Sequence, residues 1–218
     1  MGASPKQTRS YSPALGFDWL LPLYDPLIRA IVPEEAIKRE LVRLAGIESG
    51  HRVLDLGCGT ATLSLFIKEM HPEAEVLGLD ADVKALDKAR QKASVANLQI
   101  RFDVGLATAL PYDDASIDRV LSAFVFHHLS HEQKQQTLRE ILRILKPGGS
   151  FNLLDFGKPN SRLGILLAPL LHPGRNARDN IRGRLPQLMR DAGFRDVRQA
   201  ARRTIAVGSI SHWTSRKE

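Results

Sequence analysis

Two carboxylates and two glycines lie close to the ends of the first two apolar runs of the chain. Residues 53–56 are long enough for a short buried strand, and Asp55 lies within them. Gly57 and Gly59 follow, and residues 60–70 then have the apolar spacing of a helix. The second apolar run, residues 76–79, ends at Asp80. A strand, a glycine turn and a helix N-terminus present backbone N–H groups to an oxygen-rich ligand.

The positions of the two acids narrow the class of ligand. A dinucleotide fingerprint needs a third glycine, and Thr62 occupies that position. Asp55 would repel a pyrophosphate but not an ammonium or a sulfonium group. Asp80 follows the glycine turn by about 20 residues, which is where an acid accepts hydrogen bonds from ribose hydroxyls. The pattern indicates a nucleoside with a cationic amino-acid tail, and S-adenosylmethionine is the common molecule of that description. The alternative is a glycine turn in an unrelated α/β protein.

Three histidines near residue 130 suggest either a metal site or acid–base chemistry. Ser130 and Gln133 form a capping-box pattern, so the next helix is predicted to begin at about His131. His127 and His128 then precede the helix, which does not give the helical spacing of zinc ligands, and we predict no metal. We predict that His127 or His128 is a general base or a wall of the reaction site. Loop packing is the alternative.

Strands and helices are predicted to alternate along the chain, which is typical of a mostly parallel sheet covered on both faces. The sequence indicates α/β, a Rossmann-like, doubly wound, seven-stranded sheet with an N-terminal helical segment. Predicted strands are residues 53–56, 76–79, 98–102, 118–125, 150–156, 197–204 and 208–214. Predicted helices are residues 34–45, 60–70, 82–96, 131–145 and 183–192. Ligands of such sheets bind at the carboxyl ends of the strands.

Composition predicts one domain in a reducing compartment. The chain has 218 residues, 43% of them hydrophobic, and a single cysteine. Residues 1–16 are predicted to be disordered, and residues 17–46 to form a helical lid or a packing segment. Residues 1–157 carry a net charge of −2 and residues 158–218 a net charge of +9. A basic surface of this kind suits an anionic membrane, an acidic substrate or nucleic acid, or has no partner at all.

A series of further motifs resembles the ubiquinone/menaquinone-biosynthesis methyltransferases, within the class I S-adenosylmethionine-dependent methyltransferases. Residues 53–64 resemble the first motif of that class. The later motifs, in the order and spacing of the family, are Leu110-Pro111, Phe126-His127-His128-Leu129, Leu145-Lys146-Pro147-Gly148-Gly149, Leu154-Asp155-Phe156-Gly157 and Ala192-Gly193-Phe194. Tyr24-Asp25 resembles the N-terminal pair of the family. The resemblance covers roughly residues 17–217 and makes residues 17–218 one methyltransferase domain.

The resemblance implies S-adenosyl-L-methionine as the cofactor and two sets of site residues. The implied catalytic residues are His127 and Tyr24. The cofactor-binding residues are Asp55, Gly57, Cys58, Gly59, Thr60, Asp80, Ala81, Gly105, Leu106 and Ala107. Two features depart from the family: Leu106 replaces the Asp that contacts adenine, and residues 160–182 are short, apolar and then arginine-rich, without the quinone-binding segment.

The expected activity is methyl transfer to a small, lipophilic acceptor. Residues 17–32 and 160–175 are apolar and are expected to admit that acceptor. The expected location is cytoplasmic, with membrane association through the arginine-rich region as an open alternative. Nucleic acid is not expected, because residues 122–125 lack the Asn/Asp-Pro-Pro-Tyr motif of many amino-group methyltransferases. A non-catalytic S-adenosylmethionine-binding protein and a nicotinamide-dependent oxidoreductase are the alternative functions.

Overall fold

A computed structural model describes residues 34–159, 175–205 and 208–218. The strands are β1 (Arg52–Leu56), β2 (Glu75–Asp80), β3 (Arg101–Val104), β4 (Ile117–Ala123), β5 (Leu145–Gly157), β6 (Arg195–Ile205) and β7 (Gly208–Arg216). The helices are α1 (Glu34–Leu44), α2 (Thr62–Met70), α3 (Val83–Val95), α4 (His131–Ile144), α5 (Arg178–Ile181) and α6 (Leu185–Asp191). Short 3-10 turns occupy Phe126–His128 and Arg175–Ala177.

The strands form one sheet in the order β3-β2-β1-β4-β5-β7-β6. Strands β1 to β5 pair in parallel, and β7 is antiparallel to both of its neighbours. The predicted seven-stranded, mostly parallel sheet is therefore confirmed. The strand order reverses between β1 and β4, so the carboxyl ends of these two strands border the crevice where ligands of such sheets bind.

Helices cover both faces of the sheet, as the burial of parallel strands requires. The first face packs against α4 and α6, with Leu138, Ile141 and Met189 in its core. The second face packs against α1 and α2, with Ile37 and Ile67 in its core. Helix α1 contributes the described part of the predicted segment 17–46, and it packs on the sheet. The remainder of that segment and the predicted disordered residues 1–16 lie outside the described residues.

Local capping signals set two of the helix starts as predicted. The Asp82 carboxylate accepts the Lys84 N–H at 2.9 Å and begins α3. Ser130 and Gln133 form both hydrogen bonds of a capping box, with Gln133 Oε1 accepting the Ser130 N–H at 2.9 Å. The helix start at His131 places His127 and His128 in the preceding turn.

The predicted third strand, residues 98–102, is displaced towards the C-terminus in the structure. Asn97 has a φ of 55°, and the Leu98 N–H donates to the Ala93 carbonyl at 2.9 Å. This geometry closes the end of α3 in the manner of a Schellman motif. The Leu98 amide is therefore used by the helix, and β3 begins only at Arg101.

Candidate active site

The glycine turn after β1 packs directly against the loop after β4. The N–H groups of Gly57 and Cys58 both donate to the Leu79 carbonyl, at 2.8 and 3.0 Å. Gly57 has a φ of 73°, and a Cβ built there would lie 2.3 Å from Val125 Cγ2. Glycine is required at residue 57 because the backbone conformation and the contact with Val125 both exclude a side chain. The turn after β1 and the turn containing His127 are thus in contact through Val125.

The other side of the glycine turn is open. A Cβ built on Gly59, whose φ is 52°, meets no atom within 4 Å. Ala61 adopts a left-handed φ of 67° at the N-cap of α2, and no side chain accepts a hydrogen bond there. The start of α2 therefore combines accessible backbone with a partial positive charge, which suits a carboxylate.

Asp80, at the end of β2, holds the glycine turn in place. Its Oδ2 accepts the Gly59 N–H at 2.7 Å, and its Oδ1 accepts the Asp82 N–H at 2.9 Å. Each carboxylate oxygen has two lone pairs, so each can accept one further hydrogen bond. Asp80 can therefore accept hydroxyl hydrogen bonds from a ligand while it also orders the loop.

Asp55 lies beneath the glycine turn. It is 1% exposed, and its Oδ2 accepts the Ser64 hydroxyl at 2.5 Å. Burial raises the pKa of this carboxyl to about 6, although the hydrogen bond from Ser64 opposes the shift. The side chain connects β1 to α2, so its contribution to a ligand at the surface of the turn is electrostatic.

Three further predicted cofactor-binding residues, Cys58, Thr60 and Ala81, lie in or beside the glycine turn. Cys58 is buried, and burial beside Asp55 and Asp80 raises the pKa of its thiol. A raised pKa disfavours the thiolate, which is the nucleophilic form of cysteine. The Thr60 hydroxyl accepts a hydrogen bond from Lys92 at 2.8 Å, and Ala81 is exposed beside Asp80.

An apolar surface lies where the family places the adenine contact. Gly105, Leu106 and Ala107 follow β3, and the Gly105 N–H donates to the Asp80 carbonyl at 3.0 Å. Leu106 is 60% exposed. The nearby carboxylate of Asp103 accepts a hydrogen bond from Tyr112 at 3.1 Å and pairs with Arg101. Asp103 is thus engaged elsewhere, and the loop offers an apolar surface and backbone groups.

A histidine–carboxylate pair, with the carboxylate buried, lies next to the glycine turn at the carboxyl ends of the parallel strands. His127 Nδ1 is 2.9 Å from Asp155 Oδ1, and the His127 N–H donates to Asp155 Oδ2 at 3.2 Å. Asp155 is 1% exposed at the end of β5. A carboxylate can only accept, so the pair holds the ring proton on Nδ1 and leaves the lone pair of His127 on Nε2. This arrangement is suited to general-base chemistry.

Two aromatic residues, one of them with an unusual backbone conformation, lie near His127. The Phe156 ring lies 4.9 Å from the His127 ring, edge to face, and 5.4 Å from the Phe124 ring. Phe124 has a φ of 59°, which is unusual for a bulky residue. Its N–H donates to the Leu154 carbonyl at 2.8 Å, which fixes the strained turn against β5. Strain of this kind concentrates at functional sites.

The sequence indicated His127 as a candidate base, but it did not indicate that Asp155 pairs with the His127 ring. Asp155 was recognised as part of a motif, yet its pairing depends on the adjacency of β4 and β5. His131 does not join the pair, because its Nδ1 lies 3.1 Å from Asp179 Oδ2 instead. In the described ranges, no group of three or more His, Cys, Asp or Glu side chains could hold a metal. Tyr24, the other predicted catalytic residue, lies outside those ranges.

Known proteins resemble this chain in sequence and in fold. Residues 53–149 match the family described as a methyltransferase domain. The demethylmenaquinone methyltransferase of Deinococcus radiodurans is 38% identical over 160 residues, which cover 72% of this chain and 66% of that protein. The enzyme of the same name from Thermus thermophilus is 38% identical over 145 residues, covering 66% and 65%. The matching region thus spans just under two thirds of each relative.

The fold has solved counterparts as well. The YcgJ protein of Bacillus subtilis superposes with a TM-score of 0.70 at 18% identity, covering 84% of this chain and 99% of that one. At this level of identity, the comparison concerns the fold and not the reaction.

Proposed function

Because this chain belongs to the class I S-adenosylmethionine-dependent methyltransferases, we propose that it methylates a small, lipophilic acceptor that loses a proton to His127. The observation that carries the proposal is the His127–Asp155 pair beside the glycine turn. The contact between Gly57 and Val125 joins the glycine turn after β1 to the turn that contains His127. The proposed cofactor and base sites would therefore lie side by side at the carboxyl ends of the parallel strands.

The residues around the glycine turn fit the cofactor of this family. The start of α2 would receive its carboxylate, Asp80 its ribose hydroxyls, and the exposed side chains of Val104 and Leu106 its adenine ring. Asp55 adds negative potential that favours a cationic tail. When bound, S-adenosylmethionine supplies a methyl group made electrophilic by the sulfonium.

The chain contributes alignment, exclusion of water and a base. Asp155 orients the His127 ring and stabilises the imidazolium that forms when Nε2 accepts a proton from the acceptor. The Phe156 ring lies edge to face with the His127 ring and packs against the Phe124 ring, so the histidine has an apolar neighbour. A base of this kind is useful for an acceptor with an acidic hydroxyl or an activated carbon, because methyl transfer is faster to the deprotonated form.

We propose an aromatic or amphiphilic acceptor, for three reasons. Two relatives that share 38% of their aligned residues with this chain carry the name demethylmenaquinone methyltransferase. The described wall next to His127 is aromatic. Residues 17–32 and 160–174 are apolar, although they lie outside the described part of the chain. A quinol is one member of this class. Because residues 160–182 lack the quinone-binding segment of the family, other acceptors of the class are candidates as well.

Ligand binding tests the cofactor assignment first. Ligands that bind only the folded protein raise its thermal stability by mass action. We expect S-adenosylmethionine and S-adenosylhomocysteine to raise the melting temperature and NADH to leave it unchanged. Stabilisation by NADH alone would refute the assignment and favour a nicotinamide-dependent oxidoreductase.

Replacement of the histidine tests the catalytic assignment. We expect His127→Asn to lower the rate of methyl transfer to quinols, phenols or similar acceptors by roughly 10²- to 10⁴-fold, with cofactor affinity retained. Transfer is measured with radiolabelled S-adenosylmethionine. His71→Asn, at the far end of α2, is the matched control and should be fully active. Cofactor binding without transfer to any acceptor would favour a non-catalytic binding protein, and an active His127→Asn variant would exclude His127 as the base.

A further inference from the structure

A cavity of about 750 Å³ lies at the opposite end of the strands from the glycine turn. Its described lining comes from the segment after α1, from the amino ends of β4, β5 and β6, and from the carboxyl end of β7. The residues of the proposed methyl-transfer site follow the carboxyl ends of the parallel strands, so none of them lines this cavity. A space of this size is in the range of sites for small organic molecules.

Three arginines line the cavity from neighbouring strands. Arg119 on β4 pairs in the sheet with Ser150 on β5, and Ser150 pairs with Arg216 on β7. Directly paired residues of neighbouring strands project to the same face of a sheet. Arg198 on β6 pairs with Thr214, two residues before Arg216, and residues two apart along a strand share a face. The three arginine side chains therefore leave the sheet on the same face.

Arg119 is half-buried and forms no ion pair with a described residue. Its Nε donates to the Ala45 and Gly46 carbonyls, both at 3.1 Å, and its Nη1 donates to the Asp118 carbonyl at 2.9 Å. Two of the five N–H groups of the guanidinium are thereby used, so three have no partner within the described ranges. The three acceptors are neutral, whereas a cation removed from water ordinarily has an acidic partner.

The other two arginines are available to a ligand. In the part of the chain that the structure describes, no hydrogen bond or ion pair engages the side chain of Arg198 or Arg216. Two acids, Glu48 and Asp196, also line the cavity. Glu48 pairs with His51 at 3.7 Å, and neither acid forms an ion pair with a described arginine. The lining therefore has a net positive charge that its own acids do not engage.

We propose that this cavity binds an organic phosphate through Arg119, Arg198 and Arg216. Guanidinium groups bind phosphate oxygens through paired, charge-assisted hydrogen bonds. A phosphate group between the three arginines would accept the unused N–H groups of Arg119. The volume leaves room for the organic part of the ligand, whose hydroxyl groups could donate to the two acids. Soluble phosphate esters and the head groups of anionic phospholipids share this chemistry. The inference is independent of the proposed function, because the cavity shares no residue with the methyl-transfer site.

The direct test is calorimetry with pyrophosphate and with fructose 1,6-bisphosphate, at a salt concentration that screens non-specific attraction. We expect both probes to bind the native protein and Arg198→Gln/Arg216→Gln to weaken their binding at least tenfold. Arg182→Gln/Arg202→Gln is the matched control, because it removes two exposed arginines that do not line the cavity. The control should bind both probes as the native protein does. All four side chains are exposed, so both double variants should fold, and melting curves verify this.

Vesicles distinguish a soluble ligand from a lipid head group. If the soluble probes do not bind, but the cavity variant loses more affinity than the control for vesicles of phosphatidylglycerol, the ligand is a lipid head group. Equal effects of the two double variants on every probe overturn the inference, as does a native protein that binds none of them. Saturating S-adenosylhomocysteine should leave pyrophosphate binding unchanged. Displacement by it would place the phosphate at the glycine turn and would also overturn the inference.

Discussion

At the scale of single residues, two carboxylates near the glycine turn serve different purposes. Asp80 is partly exposed and orders the turn through two backbone N–H groups. Asp55 is enclosed between β1 and α2, where its one described hydrogen-bonding side chain is Ser64. Their positions in the sequence suggested a shared role in ligand binding. Because their burial differs, we propose that Asp80 contacts the ligand and that Asp55 acts on it only through its charge.

Asp80→Ala is expected to weaken binding of S-adenosylmethionine by about ten- to a hundredfold, because hydrogen bonds to a charged group contribute roughly 1.5–3 kcal/mol. Calorimetry measures the change in affinity. Asp87→Ala removes an acid from the exposed face of α3 and is the matched control, since Asp87 contacts only Arg90 among the described side chains. Equal affinities in the two variants would remove Asp80 from the binding site.

Asp55→Asn is expected to make the protein more stable, and to do so in a pH-dependent way. Folding raises the pKa of this carboxyl from 3.8 to about 6, so the folded state holds a proton that the unfolded state has lost between those values. The stability of the native protein therefore falls as pH rises from about 4 to 6, by up to about 3 kcal/mol. Asparagine removes that penalty while its oxygen can still accept the Ser64 hydroxyl.

Urea unfolding of the native protein and of Asp55→Asn, between pH 4 and pH 8, measures this effect. The difference between the two proteins should be small near pH 4, should grow up to about pH 6 and should then stay constant. A difference that shrinks as pH rises would show that the Asp55 carboxylate stabilises the fold.

At the scale of elements, the contact between Gly57 and Val125 joins the sites that we propose for the cofactor and the base. Gly57→Ala is expected to destabilise the protein and to abolish tight binding of S-adenosylmethionine. The methyl group would meet Val125 at 2.3 Å in addition to the strain of a positive φ. Gly50→Ala is a close control, because Gly50 has a φ of 74° but a Cβ there meets nothing within 4 Å.

Unfolding curves of the two glycine variants separate strain from contact. The left-handed conformation should lower the free energy of unfolding of Gly50→Ala by about 1–2 kcal/mol, and this variant should keep its ligand affinity. The free energy of unfolding of Gly57→Ala should fall by more than that. Equal losses in both variants would mean that the Val125 contact relaxes easily.

Elements whose ends are set by local chemistry were predictable from the sequence. Asp82 and the Ser130 capping box are examples, since their partners lie within three residues. The third strand was misplaced because Leu98 looks like the first residue of a strand, whereas its amide closes α3. The pairing of His127 with Asp155 spans 28 residues and depends on which strands are neighbours.

At the scale of the whole molecule, positive charge is concentrated towards the C-terminus, whereas the described residues of the proposed reaction site all precede residue 158. The described arginines of that region are mostly exposed. No helix in the described ranges is long and apolar enough to cross a membrane.

The protein is expected to sediment with vesicles that contain anionic lipid and not with neutral vesicles. Each arginine near such a surface contributes about 1 kcal/mol. The double variant Arg182→Gln/Arg198→Gln should therefore bind about ten- to thirtyfold more weakly. Lys84→Gln/Lys88→Gln, on α3, removes the same charge elsewhere and should bind as the native protein does. Equal binding to both kinds of vesicle, or to neither, would exclude this attraction.

The arginines on strand β6 also affect the exposed edge of the sheet. It is the last strand of the described sheet, so one side of its backbone has no partner strand within that sheet. Exposed Arg195, Arg198, Arg202 and Arg203 all lie on it. Among the described residues, Arg195 pairs with Glu218 and Arg203 with Glu40, whereas Arg198 and Arg202 have no acidic partner. Two copies that approached edge to edge would bring the Arg198 and Arg202 side chains of both together, and repulsion of this kind opposes the pairing of strands from different molecules. We therefore expect the same charges that would attract an anionic surface to oppose aggregation of the folded protein.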